Sequence, residues 1–327
     1  EQAIAHKLVE GTTLYTDSTH LKANANKKKF DVELAAKSRA SYWADLDAAI
    51  DEDRAAHGKQ PLKPAERTPE IKPTKISRVD SEAGYMVRDD KPKGFFYLDH
   101  RTVDGKLGVI TDTFATPANV HDSIPYLGRL DRQRERFGFE VKTVGLDSGY
   151  ATAAIAKGLE DRAIDAVTGY RNPTPPAPGM MRKSKFVYYP ALDAYRCPQG
   201  QAIAYATTDR TGYRHYKSDP AVCAPCPLRA SCTSNAKAQR TITRHVWQDA
   251  REKVDANRLT AWGKLVYARR KETVERSFAD AKQLFGHRYA RFRGLMRVQC
   301  QCLLAAAAQN IKKIALVIAG RTSPKPA

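Results

Sequence analysis

The sequence has no segment typical of a membrane-spanning or secreted protein. No run reaches the roughly 18 apolar residues that a membrane span needs. The closest run, residues 303–320, is interrupted by Gln309, Asn310, Lys312 and Lys313. The first residues contain no apolar secretory segment, and the chain contains no internal repeat. We therefore expect a cytoplasmic protein without a membrane partner.

Acidic residues are scarce relative to basic ones. Only 36 Asp and Glu stand against 55 Lys and Arg, which gives the 327 residues a formal net charge of +19. The hydrophobic fraction of 42% is enough to bury a core, which excludes disorder as the main state. The charge predicts a polyanionic partner, nucleic acid first and an acidic membrane surface second. A basic protein without such a partner remains the alternative.

Cysteines are few and unevenly placed. The length of the chain and the lack of a secretory segment argue against a disulfide scaffold. Cys300 and Cys302 lie in an apolar run and are expected to be buried core thiols. The other four fall within 36 residues and have turn-forming neighbours, a pattern typical of structural Zn²⁺. They are Cys197, Cys223, Cys226 and Cys232. Reduced, buried cysteines are the alternative.

The hydrophobic pattern predicts a mixed α/β sheet. We expect strands at 9–16, 141–146 and 164–168, and a β-hairpin over 94–114 that turns at Asp104-Gly105. Helices are expected at 31–54, from a cap at Asp122 to about 136, at 151–162, at 251–284 and at 296–319. Residues 57–74 are expected to form a linker, and the prolines at 173–178 a boundary. Hairpin neighbours would pair antiparallel, and strands joined by helices would pair parallel.

Three carboxylates are candidate catalytic and metal-binding residues. Asp17 and Asp147 follow predicted strands, at the sheet edge where α/β proteins build sites. Glu275 lies on a predicted helix in the last 67 residues, which hold 14 Lys and Arg against three acidic residues. Phosphodiester chemistry uses Mg²⁺ held by a few carboxylates. An ion pair of Glu275 with Lys271, Arg270 or Arg276 is the alternative. Spacing alone also leaves other acids in competition, namely Asp80, Asp99, Asp112 and Asp122.

Several blocks of this sequence, spread over nearly the whole chain, resemble bacterial insertion-sequence transposases of the DDE (Asp-Asp-Glu) class, closest to the insertion sequence 1182 group. The blocks are 14–24 (Leu-Tyr-Thr-Asp-Ser-Thr-His-Leu-Lys-Ala-Asn), 91–95 (Lys-Pro-Lys-Gly-Phe), 116–122 (Thr-Pro-Ala-Asn-Val-His-Asp), 146–150 (Leu-Asp-Ser-Gly-Tyr) and 274–278 (Val-Glu-Arg-Ser-Phe), with Lys282, Gly286, Arg291 and Arg293-Gly294-Leu295.

This resemblance implies an RNase H-like fold, which is a mixed five-stranded sheet flanked by helices, with an inserted four-cysteine zinc module. The catalytic core would comprise 1–172, with a helical insertion at 31–75, and 249–327. The zinc-ribbon-like module would be 173–248. The resemblance also implies that Asp17, Asp147 and Glu275 are catalytic and hold two Mg²⁺ ions, for which Mn²⁺ can substitute.

The family's helix signature Tyr-x2-Arg-x3-Glu-x6-Lys is met at Glu275 and Lys282. Upstream, Lys271 takes the place of the arginine, and Tyr267 is one residue out of register. The residues expected to bind DNA are Lys271, Lys282, Arg291, Arg293, His20 and His121, with structural hydrogen bonding as the alternative for the two histidines. Further DNA contacts are expected around the cysteines, from Arg210, Arg214, His215, Tyr216, Lys217 and Arg229. Phe278 and Phe285 are expected in the core.

The function implied is a transposase that cleaves double-stranded DNA at element ends and transfers the strand to target DNA, as a homodimer at the bacterial nucleoid. The chain begins at Glu1 rather than Met, which predicts that an N-terminal DNA-binding part precedes it. A catalytically inactive or domesticated DNA-binding fragment is the first alternative. A nuclease that cuts without joining is the second.

Overall fold

The computed structural model describes residues 1–36, 43–63, 71–87 and 92–320. Its strands are β1 (Thr13–Lys22), β2 (Phe30–Ala36), β3 (Ile71–Ser77), β4 (Gly84–Met86), β5 (Gly94–Asp104), β6 (Ile110–Pro117), β7 (Thr143–Leu146), β8 (Asp165–Thr168), β9 (Val187–Tyr189), β10 (Ala194–Arg196), β11 (Ala202–Thr208), β12 (Tyr213–Lys217) and β13 (Thr241–His245). Its α-helices are α1 (Gln2–Ala5), α2 (Trp43–Ala56), α3 (Tyr126–Phe137), α4 (Ala153–Glu160), α5 (Pro220–Cys223), α6 (Arg229–Cys232), α7 (Gln248–Asn257), α8 (Ala261–Arg269), α9 (Val274–Leu284) and α10 (Leu295–Ile318).

The chain divides into two compact units. The first unit comprises 1–40, 68–171 and 250–327, and the second comprises 41–67 and 172–249. The described residues 43–63, which include α2, thus group with the cysteine-containing segment rather than with the sheet that carries Asp17.

In the described residues, the first unit is built on a mixed sheet of six strands. The strand order β6-β5-β1-β7-β8 combines antiparallel pairs (β1 with β5, β5 with β6) and parallel pairs (β1 with β7, β7 with β8). The short β4 adds a sixth strand beside β5, so the expected count of five is wrong. The predicted hairpin is confirmed, because β5 and β6 pair antiparallel across the Asp104-Gly105 turn.

Helices cover both faces of this sheet. On one face, α3, α4 and α7 pack against Leu14, Val144 and Leu146. On the other face, α8, α9 and α10 pack against Tyr15, Val103 and Val167. Successive residues of a strand point to opposite faces, so Asp17 shares the face of Tyr15, where α8 and α9 lie. Phe278 is buried on this face, as predicted.

α10 covers the outer edge of β6. The side-chain amide of Gln299 accepts a hydrogen bond from Ala115 N and donates one to Thr113 O. The side-chain amide of Asn310 accepts a hydrogen bond from Ile110 N and donates one to Ile110 O. α10 is also a described helix long and apolar enough to cross a membrane by length and composition. Its polar side chains nevertheless serve here to satisfy a strand edge.

Several predicted elements differ from the structure. In the predicted helix 31–54, residues 31–36 belong to β2, which pairs with β3. Residues 37–42 lie outside the described ranges, and residues 43–54 belong to α2, as predicted. In β2, a composition that favours a helix gives way to strand pairing over a long sequence distance. The predicted linker 57–74 includes the start of β3, and its residues 64–70 also lie outside the described ranges.

Two further helix predictions need correction. The expected single helix 251–284 is three helices, α7, α8 and α9, with breaks after Asn257 and Arg269. Asp122 does not cap α3, which begins at Tyr126 with Pro125 at its N-cap; the Asp122 carboxylate instead accepts a hydrogen bond from the Ser18 hydroxyl.

The second unit contains an antiparallel sheet of five short strands in the order β13-β12-β11-β10-β9. Its core is mostly aromatic and comprises Phe186, Tyr195, Ile203, Tyr216 and Ile242, with Cys197 and Cys232 packed against it. α2 packs on this sheet through Asp53, whose carboxylate accepts hydrogen bonds from Thr208 Oγ1 and from Arg214 Nε.

Candidate active site

Strand register brings Asp17 and Asp147 together. The parallel pairing of β1 with β7 ends at Thr16 and Leu146, so the next residue on each strand is an aspartate. β7 stops there, while β1 continues to Lys22 against β5. The prediction that Asp17 follows the end of its strand is therefore wrong in detail. Asp17 lies within β1, at the point where β7 leaves it.

Glu275 reaches the same place from α9. It lies in the first turn of this helix, and its backbone N–H donates a hydrogen bond to Arg270 O across the turn that joins α8 to α9 (3.0 Å). The side chains of Asp147 and Glu275 are close to half exposed, and that of Asp17 is about one-fifth exposed. The three carboxylates thus form an open rather than a sealed group.

A single guanidinium lies among these carboxylates. Arg270 Nη2 donates to Asp17 Oδ2 at 2.7 Å, and Nη1 lies 3.8 Å from Asp147 Oδ1 and 3.6 Å from Glu275 Oε1. All three predicted acids therefore lie within 4 Å of one group. In the sequence, Lys271 takes the place of the signature's arginine, but in the structure Lys271 is exposed and Arg270, one residue earlier, meets the acids. The shift by one residue follows from the helix break after Arg269, because i,i+4 spacing applies only within a continuous helix.

The surroundings of Asp17 shift the pKa of its carboxyl group. Burial raises the pKa of Asp17 to about 6, although Arg270 and the Ser18 backbone N–H oppose this shift. Asp147 and Asp122 raise the pKa further, because a neighbouring negative charge disfavours ionisation. A group of acids that repel one another in this way is one that a cation would stabilise.

Asp122 is a fourth acid close to this group. Its carboxylate accepts a hydrogen bond from Ser18 Oγ at 2.9 Å. A Cβ added to Gly149 would lie 3.7 Å from Asp122 Oδ2 and 4.0 Å from Asp147 Oδ2, so both carboxylates flank this glycine. The other competing acids have different partners: Asp80 binds Tyr97, Asp99 binds Arg101, and Asp112 binds Arg129 and Arg132.

The predicted DNA-binding residues lie in varied settings. Lys282 is on α9 with Glu275, and Arg291 and Arg293 are exposed after that helix. His121 is exposed, and its ring contacts Ser123 Oγ at 2.8 Å. His20 packs edge-on against Phe96, and strand alternation puts it on the face of β1 opposite Asp17. The structure therefore does not bring His20 to the face that carries the three acids.

Part of the second predicted set is engaged internally. Tyr216 is buried, Arg214 pairs with Asp53, and His215 contacts Asp209 Oδ2 at 2.7 Å. Arg210, Lys217 and Arg229 are exposed. The prediction of DNA contacts is therefore wrong for Tyr216, whose side chain lies inside the core.

The four clustered cysteines converge on one cavity. Cys197, Cys223, Cys226 and Cys232 all line it, together with Met181 and Phe186 among others. Burial raises the pKa of the Cys232 thiol, Arg240 lowers it, and the other three cysteines raise it. Four soft sulfur donors around one space are suited to Zn²⁺. Of the C-terminal pair, Cys302 is buried as expected, whereas Cys300 is exposed, so the prediction of a core thiol is wrong for Cys300.

A second group of possible metal ligands is better explained as a buried hydrogen-bond network. The ligand atoms of Asp99, His287 and Cys302 lie within 4.8 Å of one another. Asp99 already accepts hydrogen bonds from Arg101, Thr113 and His287, and all of these residues are buried. Burial raises the pKa of Asp99, but Arg101 and His287 lower it more, so it falls below its usual range. This carboxylate has its counter-charge and ties β5 to the segment after α9.

Comparison with known proteins gives a match to one protein family. No curated protein and no solved structure gives a significant match to this chain. Residues 196–315 match the family described as "Transposase DDE domain". The matched stretch includes the four clustered cysteines, Arg270, Glu275 and Lys282, and it leaves Asp17 and Asp147 outside. The C-terminal part of this chain is thus similar to the DDE domain of transposases.

Proposed function

We propose that this chain is the catalytic part of an insertion-sequence transposase that cleaves double-stranded DNA and joins the freed strand to target DNA. The observation that carries the proposal is the convergence of Asp17, Asp147 and Glu275 within 4 Å of one guanidinium. The family match supplies the class of reaction. The strand order β6-β5-β1-β7-β8, with its antiparallel and parallel halves, is the order expected of an RNase H-like fold.

Divalent cations suit this site, because its donors are carboxylate oxygens and it is open to solvent. When bound, such ions supply Lewis-acid stabilisation of the scissile phosphate and of the attacking and leaving oxygens. In this proposal the ions are Mg²⁺, two per site, and Mn²⁺ can substitute. Asp17, Asp147 and Glu275 hold them, and Asp122 adds negative charge from the neighbouring loop.

Basic residues on and around α9 would hold the DNA backbone. Lys271 and Lys282 flank Glu275 in sequence, and Arg291 and Arg293 follow α9; their charge suits phosphates rather than base edges. His121 precedes Asp122 and would lie at the same margin. A homodimer on two DNA ends, at the bacterial nucleoid, completes the proposal.

The test is nicking of supercoiled plasmid DNA by the purified chain with Mg²⁺ or Mn²⁺. We expect the wild type to nick and Asp147→Asn to be slower by about 100-fold or more, since loss of one preorganised charge at a reacting centre costs this much. The matched control is Asp165→Asn, which makes the same acid-to-amide change at an exposed position on β8. It should retain wild-type activity.

Equal nicking by the wild type and Asp147→Asn would contradict the assignment of the carboxylates. DNA binding without any nicking, unchanged by either metal, would favour an inactive or domesticated DNA-binding protein. Cleavage without strand-transfer products would favour a nuclease.

A further inference from the structure

Arg270 occupies the position in which a cation would meet the three acids. It binds Asp17 at 2.7 Å and lies within 4 Å of both Asp147 and Glu275, although it comes from a different element than either aspartate. Its side chain is only 3% exposed, whereas two of the three carboxylates are nearly half exposed. The guanidinium thus lies beneath the acids, and solvent reaches them from the other side.

The protein holds the Arg270 side chain from several directions. The guanidinium lies over the ring of Tyr267, and Nη1 approaches the Tyr267 hydroxyl at 3.3 Å. The stem of Arg270 passes Gly145 on β7, where an added Cβ would come within 3.6 Å of Arg270 Cγ. Within the described part of the chain, Nε of Arg270 is buried without a hydrogen-bond partner. A buried arginine incompletely satisfied in this way depends on its ion pairs for stability.

Arg270 and a metal ion would compete for the same oxygens. Asp17 Oδ2 already accepts a short, charge-assisted hydrogen bond from Arg270. A divalent ion that takes this oxygen meets a fixed positive charge only a few ångströms away. Like charges repel more strongly at this end of the site than in water, because Arg270 is buried and Asp17 is only about one-fifth exposed. Without the ion, the same positive charge offsets the mutual repulsion of the carboxylates.

We propose that Arg270 is a built-in counter-ion, a positioning residue that holds the three carboxylates together before metal binds and must release Asp17 when the metal enters. This proposal rests on the metal site of the proposed function. It predicts that Arg270 stabilises the metal-free protein and at the same time weakens its affinity for divalent cations. An arginine that served only the fold would stabilise the metal-free protein without weakening its affinity for divalent cations. An arginine that only held a DNA phosphate would have neither of these effects.

The experiment is titration of the purified, metal-free chain with Mn²⁺ alone, without DNA, by isothermal titration calorimetry, together with thermal melting in the absence of metal. We expect Arg270→Met to bind Mn²⁺ about tenfold more tightly than the wild type, in the range typical of changes to groups around metal ligands. Its metal-free melting temperature should be lower. Arg270→Lys keeps the charge but loses the planar guanidinium. Its affinity for Mn²⁺ should therefore lie between those of the wild type and Arg270→Met, about threefold above the wild type.

Arg269→Met is the matched control. It removes the same charge from the neighbouring residue, whose guanidinium donates to Gly105 O rather than to the acids. It should leave Mn²⁺ affinity unchanged. If Arg270→Met does not fold, Arg270→Lys decides the question against the same control.

Two kinds of failure are distinguishable through Asp147→Asn. If Asp147→Asn abolishes Mn²⁺ binding, but the Arg270 variants bind Mn²⁺ no more tightly than the wild type, the counter-ion proposal is overturned and the metal site stands. If Asp147→Asn leaves Mn²⁺ binding unchanged both in the wild type and in the Arg270 variants, or if no protein binds Mn²⁺, the proposed metal site itself is overturned.

Discussion

At the residue scale, the site depends on a glycine that carries no chemistry. A Cβ added to Gly145 would lie 2.6 Å from Tyr15 Cδ1, far inside van der Waals contact. Tyr15 is 1% exposed and packs among buried residues, so its ring has no room to move away. Because Gly145 has no side chain, the Tyr15 ring can lie against β7 at this position, with the aliphatic part of Arg270 beside it.

We predict that Gly145→Ala destabilises the chain by about 1–3 kcal/mol, the usual cost of overpacking a well-packed core. Urea unfolding followed by circular dichroism measures the free energy of unfolding. Gly128→Ala is the matched control, because Gly128 lies inside α3 with nothing within 4 Å of an added Cβ. It should stabilise the chain by about 0.5–1 kcal/mol. Changes of the same sign in the two variants would contradict the packing argument.

The candidate site was only partly predictable at this scale. Asp17 and Asp147 stand out in the sequence because each follows a predicted apolar strand. Glu275 stands out because acidic residues are rare around it. Arg270 does not stand out from its basic neighbours Arg269 and Lys271, and the sequence indicates it only as one of several ion-pair partners for Glu275. Its role depends on the helix break after Arg269, which no residue pattern in this stretch marked clearly.

At the element scale, α10 does two things for the sheet. Its apolar residues Val298, Cys302 and Ala306 are buried against the strands. Its amides at Gln299 and Asn310 pair with the backbone of β6, which would otherwise present an unpaired strand edge. Asn310, one of the polar residues that interrupt the apolar run in the sequence, thus has a function in the sheet.

We predict that Asn310→Ala lowers the free energy of unfolding by about 1–3 kcal/mol, because it leaves the backbone N–H and C=O of Ile110 without their side-chain partner. Thermal or urea unfolding measures the loss. The control is Lys312→Ala, an exposed residue two positions further along α10, for which a change within about 0.5 kcal/mol is expected. An Asn310 variant as stable as this control would show that the edge of β6 is satisfied without the amide.

At the scale of the whole molecule, the chain has two units with different sources of stability. The first has a large sheet with helices on both faces. The second has a small sheet with an aromatic core, and four cysteines gather at one cavity beside it. Small cores of this kind gain stability from a structural metal.

We predict that the purified protein carries about one Zn²⁺ per chain, the content of a closed four-cysteine site, and that Cys226→Ser loses it. Elemental analysis measures the metal content. A strong chelator should lower the melting temperature of the wild type and leave that of Cys226→Ser unchanged, because binding free energy is also folding free energy.

The control is Cys300→Ser, which removes an exposed thiol from α10 outside this unit. It should retain its zinc. Equal zinc content in the Cys226 and Cys300 variants, or wild-type protein without zinc, would mean that the four cysteines are reduced thiols.

The sequence by itself determined the parts of this protein that local patterns encode. The β5–β6 hairpin follows from alternation around an Asp-Gly turn, and α10 follows from a long helical pattern. Asp17 and Asp147 are candidates because they follow apolar strands, and Glu275 is a candidate because it is a rare acid in a basic stretch. Each of these features depends on hydrogen bonds and burial within a few neighbouring residues.

Only the tertiary structure decided which of these groups meet. Arg270 and Asp17 are 253 positions apart, and their contact depends on the register of β1 against β7 and on a break between two helices. The pairing of β2 with β3 overrides a composition that favours a helix, and Asp122 turns from a presumed helix cap into a neighbour of the catalytic candidates. Contacts between distant segments depend on the packing of the whole sheet, and that information is not present in any single stretch of the chain.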